Sequence, residues 1–153
     1  MSRVRSLSRR WMPVGRRIVV VGGGLVGVEL AEFLAERRRA VTVLEEGDDL
    51  ATEMAHPRRW RTLHEARRRG VVFRTGAMIT AITANHVEFR LGNETHTVAA
   101  DTVVLAGGIQ PDASIGELIR ETTGLDVDVI GDAATTGYIQ GAIRSGNQVA
   151  NAL

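Results

Sequence analysis

The stretch Arg17-Ile-Val-Val-Val-Gly22-Gly23-Gly24-Leu25-Val26-Gly27-Val28-Glu29 decides the fold. Ile18–Val21 is apolar at every position, the pattern of a parallel strand covered on both faces. The run ends in Gly-x-Gly-x-x-Gly (Gly22, Gly24, Gly27) and opens directly into a helical pattern from Leu25 to Arg37. In that pattern Val26, Leu30, Phe33 and Leu34 fall on one stripe, with Glu29, Glu32 and Glu36 elsewhere. A buried parallel strand that turns tightly into a helix predicts an α/β architecture.

Working outward, Ala40–Leu44 reads as a second strand that ends at Glu45-Glu46-Gly47. A second helix is expected over His56–Arg69, with Pro57 suited to its first turn and Gly70 just past its end. Val71–Phe73 is a third strand. The pattern then becomes shorter and more polar: Met78–Thr83, His86–Leu91 and Thr95–Ala99, separated by Ala84-Asn85 and Gly92-Asn93, predict a three-stranded antiparallel meander. Asp101–Ala106 is again a buried-type strand, closed by Gly107-Gly108 and Pro111. A helix near Ile115–Glu121, a strand at Val127–Ile130 running into Gly131-Asp132, and a helix from about Tyr138 to Leu153 complete the chain.

The glycine turn carries the chemistry. A dinucleotide's pyrophosphate is doubly negative and favours a helix N-terminus, where free N–H groups and the positive dipole end converge. Gly22 permits the tight turn, Gly24 has no Cβ to block backbone approach, and Gly27 allows close helix–strand packing. Glu45 follows Gly27 by 18 residues, at the end of the second strand, where a carboxylate can accept both hydroxyls of the adenosine ribose. The same carboxylate, with Glu46 beside it, would repel a 2′-phosphate, so NAD(H) is expected in preference to NADP(H). A second reading stays open: the same residues would hold ADP or an adenine dinucleotide as a non-catalytic structural ligand.

Composition narrows the rest. An apolar content of 44% with mean hydropathy −0.02 fits a globular chain of 153 residues. All 19 basic residues are Arg, which reads as compositional bias rather than as a functional signal. Residues 1–100 hold 17 Arg against 11 acids, whereas residues 101–153 hold 2 against 7. Much of that excess is an N-terminal arm with six Arg and no acid through Arg17, expected to be a solvated, disordered tail; nucleic-acid binding is the less favoured reading. The absence of Cys excludes disulfides, thiolate metal sites and iron–sulfur clusters. No apolar run reaches the ~20 residues of a membrane helix, and no secretory signal is evident, so a cytoplasmic location and no membrane partner are expected. His56, His64, His86 and His96 have no companions that complete a metal set, and neither Gly-x-Ser-x-Gly nor a Cys/His dyad argues for hydrolysis.

With these residues in hand, the chain resembles the nicotinamide-nucleotide domain of the two-dinucleotide flavoprotein reductases. It is most similar to the C-terminal part of the dienoyl-CoA reductase / trimethylamine dehydrogenase family of NADH:flavin oxidoreductases. The resemblance rests on Gly22–Ala31, Thr42–Glu45, Met54-Ala-His-Pro-Arg58, Ala100–Gly108, Val129–Ala133 and Gly137–Ala142. It implies a Rossmann-like three-layer ββα nucleotide-binding domain, with a parallel sheet and a three-stranded meander, plus a C-terminal strand–helix segment. It divides the chain into the arm 1–14, a nicotinamide-dinucleotide domain 15–110, and a segment 111–153 that resembles the end of an FAD-binding domain.

The family implies cofactor contacts at Gly22, Gly23, Gly24, Leu25, Val26, Gly27, Glu29, Glu45, Gly107 and Asp132, and no catalytic or metal-binding residue. Glu29 would lie near the nicotinamide, Gly107 in the crossover toward the flavin domain, and Asp132 would bond the ribityl chain of FAD. The expected function is positioning NADH for hydride transfer to flavin. Because the sequence has a single Gly-x-Gly-x-x-Gly, Asp132 represents half a flavin site. A flavin-domain or barrel-domain partner is therefore expected, the chain alone is not expected to complete the reaction, and a homo-oligomer is left open.

Overall fold

The computed structural model describes residues 12–152, which form two compact units divided between Gly107 and Gly108. The basic arm as far as Trp11, and the last residue of the expected C-terminal helix, Leu153, lie outside the described residues.

In the first unit, β1 (Arg17–Val21), β2 (Ala40–Leu44), β3 (Val72–Arg74) and β7 (Thr102–Leu105) build a parallel sheet in the order β3-β2-β1-β7. The register pairs Val21 with Leu44 on one side and with Leu105 on the other, so three strands end level with one another. Between them lie helices α1 (Leu25–Ala35) and α2 (His56–Arg68) and the antiparallel meander β4 (Ala77–Ile82), β5 (His86–Leu91) and β6 (Glu94–Ala99).

Strand alternation sorts side chains into three layers. Ile18, Val20, Val41 and Val43 pack with Ala31, Leu34 and Ala35 of α1 and Ala66 of α2. On the other face, Val19 and Leu44 pack with Ala77, Val87 and Phe89 of the meander. Both faces of β1 are dry, which is why every position of its apolar run is apolar. The expected three-layer α/β fold is the observed one.

Three details differ from the sequence expectation. The buried face of α1 is Gly27, Val28, Ala31, Leu34 and Ala35, whereas Val26 (44% exposed) and Phe33 (43%) face outward. Helix and sheet approach closely here, and small residues suit that contact better than the bulkiest apolar ones. Phe33 instead lies beneath the Arg37 guanidinium, 3.4 Å from its ring centroid. Second, Met12 and Val14, placed in the arm by composition, pack against the first core cluster. Third, Val127–Ile130 forms no strand. A strand is completed by a neighbour's hydrogen bonds, and the described residues of the second unit hold no other strand.

Arg69, just past α2, ties that helix to α1, whereas Arg37 bonds back into α1 itself. Arg69 reaches Glu32 at 2.8 Å and Glu36 and Glu65 at 3.6 Å, and Arg37 donates from Nη1 to the Phe33 carbonyl at 2.9 Å. At the start of the sheet, Asp101 accepts from the Arg16 and Arg17 amides at 3.1 and 2.9 Å and from Arg17 Nε at 3.0 Å. That guanidinium bond, followed by the amide bonds, lowers the Asp101 carboxyl pKa to about 2.

The second unit holds α3 (Ser114–Thr123), a short 3-10 turn Gly131–Ala133 and α4 (Tyr138–Ala150). Gly116 of α3 meets the Val129 side chain, and the Gly131 amide donates to Ser145 Oγ at 2.9 Å. α4 buries none of its residues; Ile139 and Ile143 are 80% and 68% exposed.

Candidate functional site

The level carboxyl ends of β1, β2 and β7 bring Gly22, Glu45 and Ala106 side by side, and open α/β sheets hold ligands in the crevice beyond such ends. Gly22 leaves β1 with φ +106, a region that L side chains avoid, and its amide donates to the Leu44 carbonyl at 2.8 Å. A Cβ there would lie 3.0 Å from Ala106 C and Gly107 N. On Gly27 it would lie 1.9 Å from Gly22 O, so α1 rests directly on the end of the strand. Thus the turn, the first face of α1 and the end of β7 form one close-packed backbone cradle. Gly107 belongs to that cradle, 3.8 Å from Gly22 when a Cβ is added.

Glu45 is fixed from four sides. Its amide donates to the Arg74 carbonyl and its carbonyl accepts from the Ala77 amide, both at 2.9 Å. Its side chain accepts from the Gly23 amide through Oε2 at 2.5 Å and from the Gly47 amide through Oε1 at 2.8 Å. A carboxylate oxygen has more than one lone pair, so both oxygens keep acceptor capacity toward a ligand hydroxyl. The carboxylate is therefore oriented before any ligand arrives.

The loop after β2 closes over the turn. Ala51, buried and at φ +47, donates its amide to the Gly23 carbonyl at 2.7 Å. Leu50, Ala51 and Met54 pack with Val28 and Leu63, and Leu25 joins that cluster. Arg59 of α2 holds the loop by donating from Nε to the Leu50 carbonyl at 2.6 Å and from Nη2 to Asp49 at 2.7 Å. Glu53, on the same loop, accepts from the Leu25 amide at 3.2 Å, and its other oxygen lies 2.9 Å from where a Gly24 Cβ would be. Sequence reasoning missed Ala51 and Glu53; no local pattern marks them, because the path of the loop brings them in.

The structure thus gathers Gly22, Gly23, Gly24, Leu25, Gly27, Glu45 and Gly107 at one place. Val26, next in α1, is exposed. Glu29 is paired with Arg58 of α2, in an ion pair between exposed side chains. Asp132 belongs to the second unit, where its Oδ1 accepts from the Gly137 and Tyr138 amides, both at 2.8 Å, and so caps α4. Among the described residues no three His, Asp or Glu side chains gather as a metal site would require. No helix among them is long and apolar enough to cross a membrane.

Residues 1–143 match the family described as pyridine nucleotide-disulphide oxidoreductase. An NADH oxidase of Thermoanaerobacter brockii is 39% identical over 135 residues, which are 87% of this chain and 21% of that protein. A bilirubin reductase of Mediterraneibacter gnavus is 36% identical over 148 residues, 96% of this chain and 23% of that protein. The chain therefore spans between a fifth and a quarter of the length of these relatives. Among solved structures, 2-naphthoyl-CoA reductase superposes with a TM-score of 0.79 at 26% identity, covering 88% of this chain and 21% of that one. Histamine dehydrogenase from Rhizobium sp. 4-9 shares the fold, with a TM-score of 0.80 at 20% identity over 92% of this chain and 22% of that one.

Proposed function

The chain belongs to the pyridine nucleotide-disulphide oxidoreductase family, and from that premise we propose that it is the NAD(H)-binding part of an FAD-dependent oxidoreductase. Within the family we assign it to the dienoyl-CoA reductase / trimethylamine dehydrogenase type, a reading supported by the likeness to 2-naphthoyl-CoA reductase. The observation that carries the proposal is the meeting of the glycine cradle with the pre-oriented Glu45 carboxylate.

The residues present suit an adenine dinucleotide. No Cβ stands on Gly22, Gly23 or Gly24, and the Gly24 and Leu25 amides at the start of α1 are the groups a pyrophosphate would meet, with the Glu53 carboxylate beside them. Glu45 would accept the ribose hydroxyls and disfavour a 2′-phosphate, consistent with NADH rather than NADPH and with the NADH oxidase among the relatives. Glu29 would stand toward the nicotinamide end. When bound, NADH supplies the hydride; the chain's own residues bind and orient it.

For FAD the fit is with half a site. Asp132, which caps the N-terminus of α4, would contribute one FAD contact, and the sequence has no second glycine turn. A flavin-domain or barrel-domain partner would supply the remainder, and the exposed Ile139 and Ile143 are apolar surface of the kind that further chain covers. A cytoplasmic setting fits a nicotinamide-dependent reaction.

The test is a fluorescence titration of the purified chain with NADH, alongside identification of any nucleotide released on acid denaturation. Saturable NADH binding supports the proposal. A preparation that carries ADP and takes up no NADH would overturn it in favour of a nucleotide held without turnover.

A further inference from the structure

One acidic side chain stands where the dinucleotide reading puts an anion. Glu53 Oε2 accepts the Leu25 amide at 3.2 Å, in the first turn of α1, and Oε1 lies against the bare Cα of Gly24. A helix N-terminus favours one negative charge, and a carboxylate there satisfies an amide that the helix itself leaves open. A pyrophosphate at the same amides would meet that charge at contact distance.

The neighbours of Glu53 restrict how it can yield. On one side Ala51 is buried and bonded to the Gly23 carbonyl, and on the other Met54 is buried against Val28. Arg59 fixes the loop behind them. The backbone at Glu53 is thus held, while its side chain is exposed.

We propose that Glu53 is a built-in competitor of the ligand diphosphate: its carboxylate occupies the α1 N-terminus in the free protein and swings out when a dinucleotide binds. This inference rests on the dinucleotide reading above and adds to it a residue that sets affinity for the phosphate part alone. The competition affects ligands in proportion to their charge at that point, and leaves contacts to adenine and ribose untouched.

The experiment is calorimetric titration of the full chain with ADP and, separately, with adenosine, in wild type, Glu53→Gln and Asp48→Asn. Glu53→Gln keeps the side-chain shape and removes the charge; Asp48 is an exposed acid of the same loop and controls for general electrostatics. The expected result is ADP binding tightened about three- to tenfold by Glu53→Gln, the scale of a charge removed from a helix terminus, with adenosine unchanged and Asp48→Asn shifting ADP by less than about twofold. Wild-type ADP binding left unchanged by Glu53→Gln, or an equal gain from Asp48→Asn, overturns the proposal and leaves the dinucleotide reading standing. Folded wild type and Glu53→Gln that both fail to bind ADP overturn the dinucleotide reading, and this proposal with it.

Discussion

Gly27 and Gly22 stand so close that a Cβ on Gly27 would lie 1.9 Å from the Gly22 carbonyl oxygen. The obstacle is backbone, so nothing can rotate away; α1 would have to lift off β1. Gly27→Ala is expected to cost about 1–3 kcal/mol of stability, the range of an overpacked core. Urea unfolding followed by circular dichroism measures it, and a wild-type midpoint would show that α1 does not rest on the Gly22 carbonyl.

Glu45 offers a sharper functional variant. Glu45→Gln keeps one carbonyl acceptor for the glycine turn and loses the charge that the ribose hydroxyls would meet. Hydrogen bonds to a charged group are each worth about 1.5–3 kcal/mol, so NADH should bind about tenfold or more weakly while NADPH loses less. Equal weakening of both cofactors in paired fluorescence titrations would remove Glu45 from the ribose.

Asp101 predicts an acid-dependent stability. Its carboxyl pKa is lowered in the folded chain to about 2, chiefly by the Arg17 guanidinium bond, from an unfolded value of about 3.9. A lowered folded pKa stabilises above the unfolded value and is lost as pH falls toward the folded one. The urea midpoint of wild type should therefore fall between about pH 4 and pH 2 more steeply than that of Asp101→Asn. Parallel curves for the two proteins would contradict this.

A buried and an exposed isoleucine should respond differently to truncation. Ile18 is 1% exposed between α1 and β2, so Ile18→Ala should cost about 2–5 kcal/mol. Ile143 is 68% exposed, and Ile143→Ala should stay within about 0.5 kcal/mol in the isolated chain. Denaturation of both variants in parallel checks the contrast.

Much of this fold is legible in residue order. β1 is apolar throughout because both its faces are covered, and the glycine spacing marks the turn because backbone meets backbone there. The meander shows in its alternation and its Gly92-Asn93 turn. Where packing distance rather than hydrophobicity decides, legibility ends: the buried stripe of α1 follows Gly27, Ala31 and Ala35, which a search for bulky apolar residues passes over. Val127–Ile130 has the composition of a strand and no partner to make it one. The site divides in the same way. Glu45 is found by its distance along the chain, whereas Glu53 and Ala51 are brought to the turn by a loop that Arg59 holds, and no periodicity encodes that path.

The most direct test of the central claim, that the Gly22–Gly27 turn and Glu45 hold an adenine dinucleotide, is an amide NMR titration of the isotope-labelled chain with NADH. Binding at the turn gives saturable shifts centred on Gly22–Gly27 and on Glu45–Gly47. Shifts confined to other elements, or no shifts from a folded chain at millimolar NADH, would contradict it.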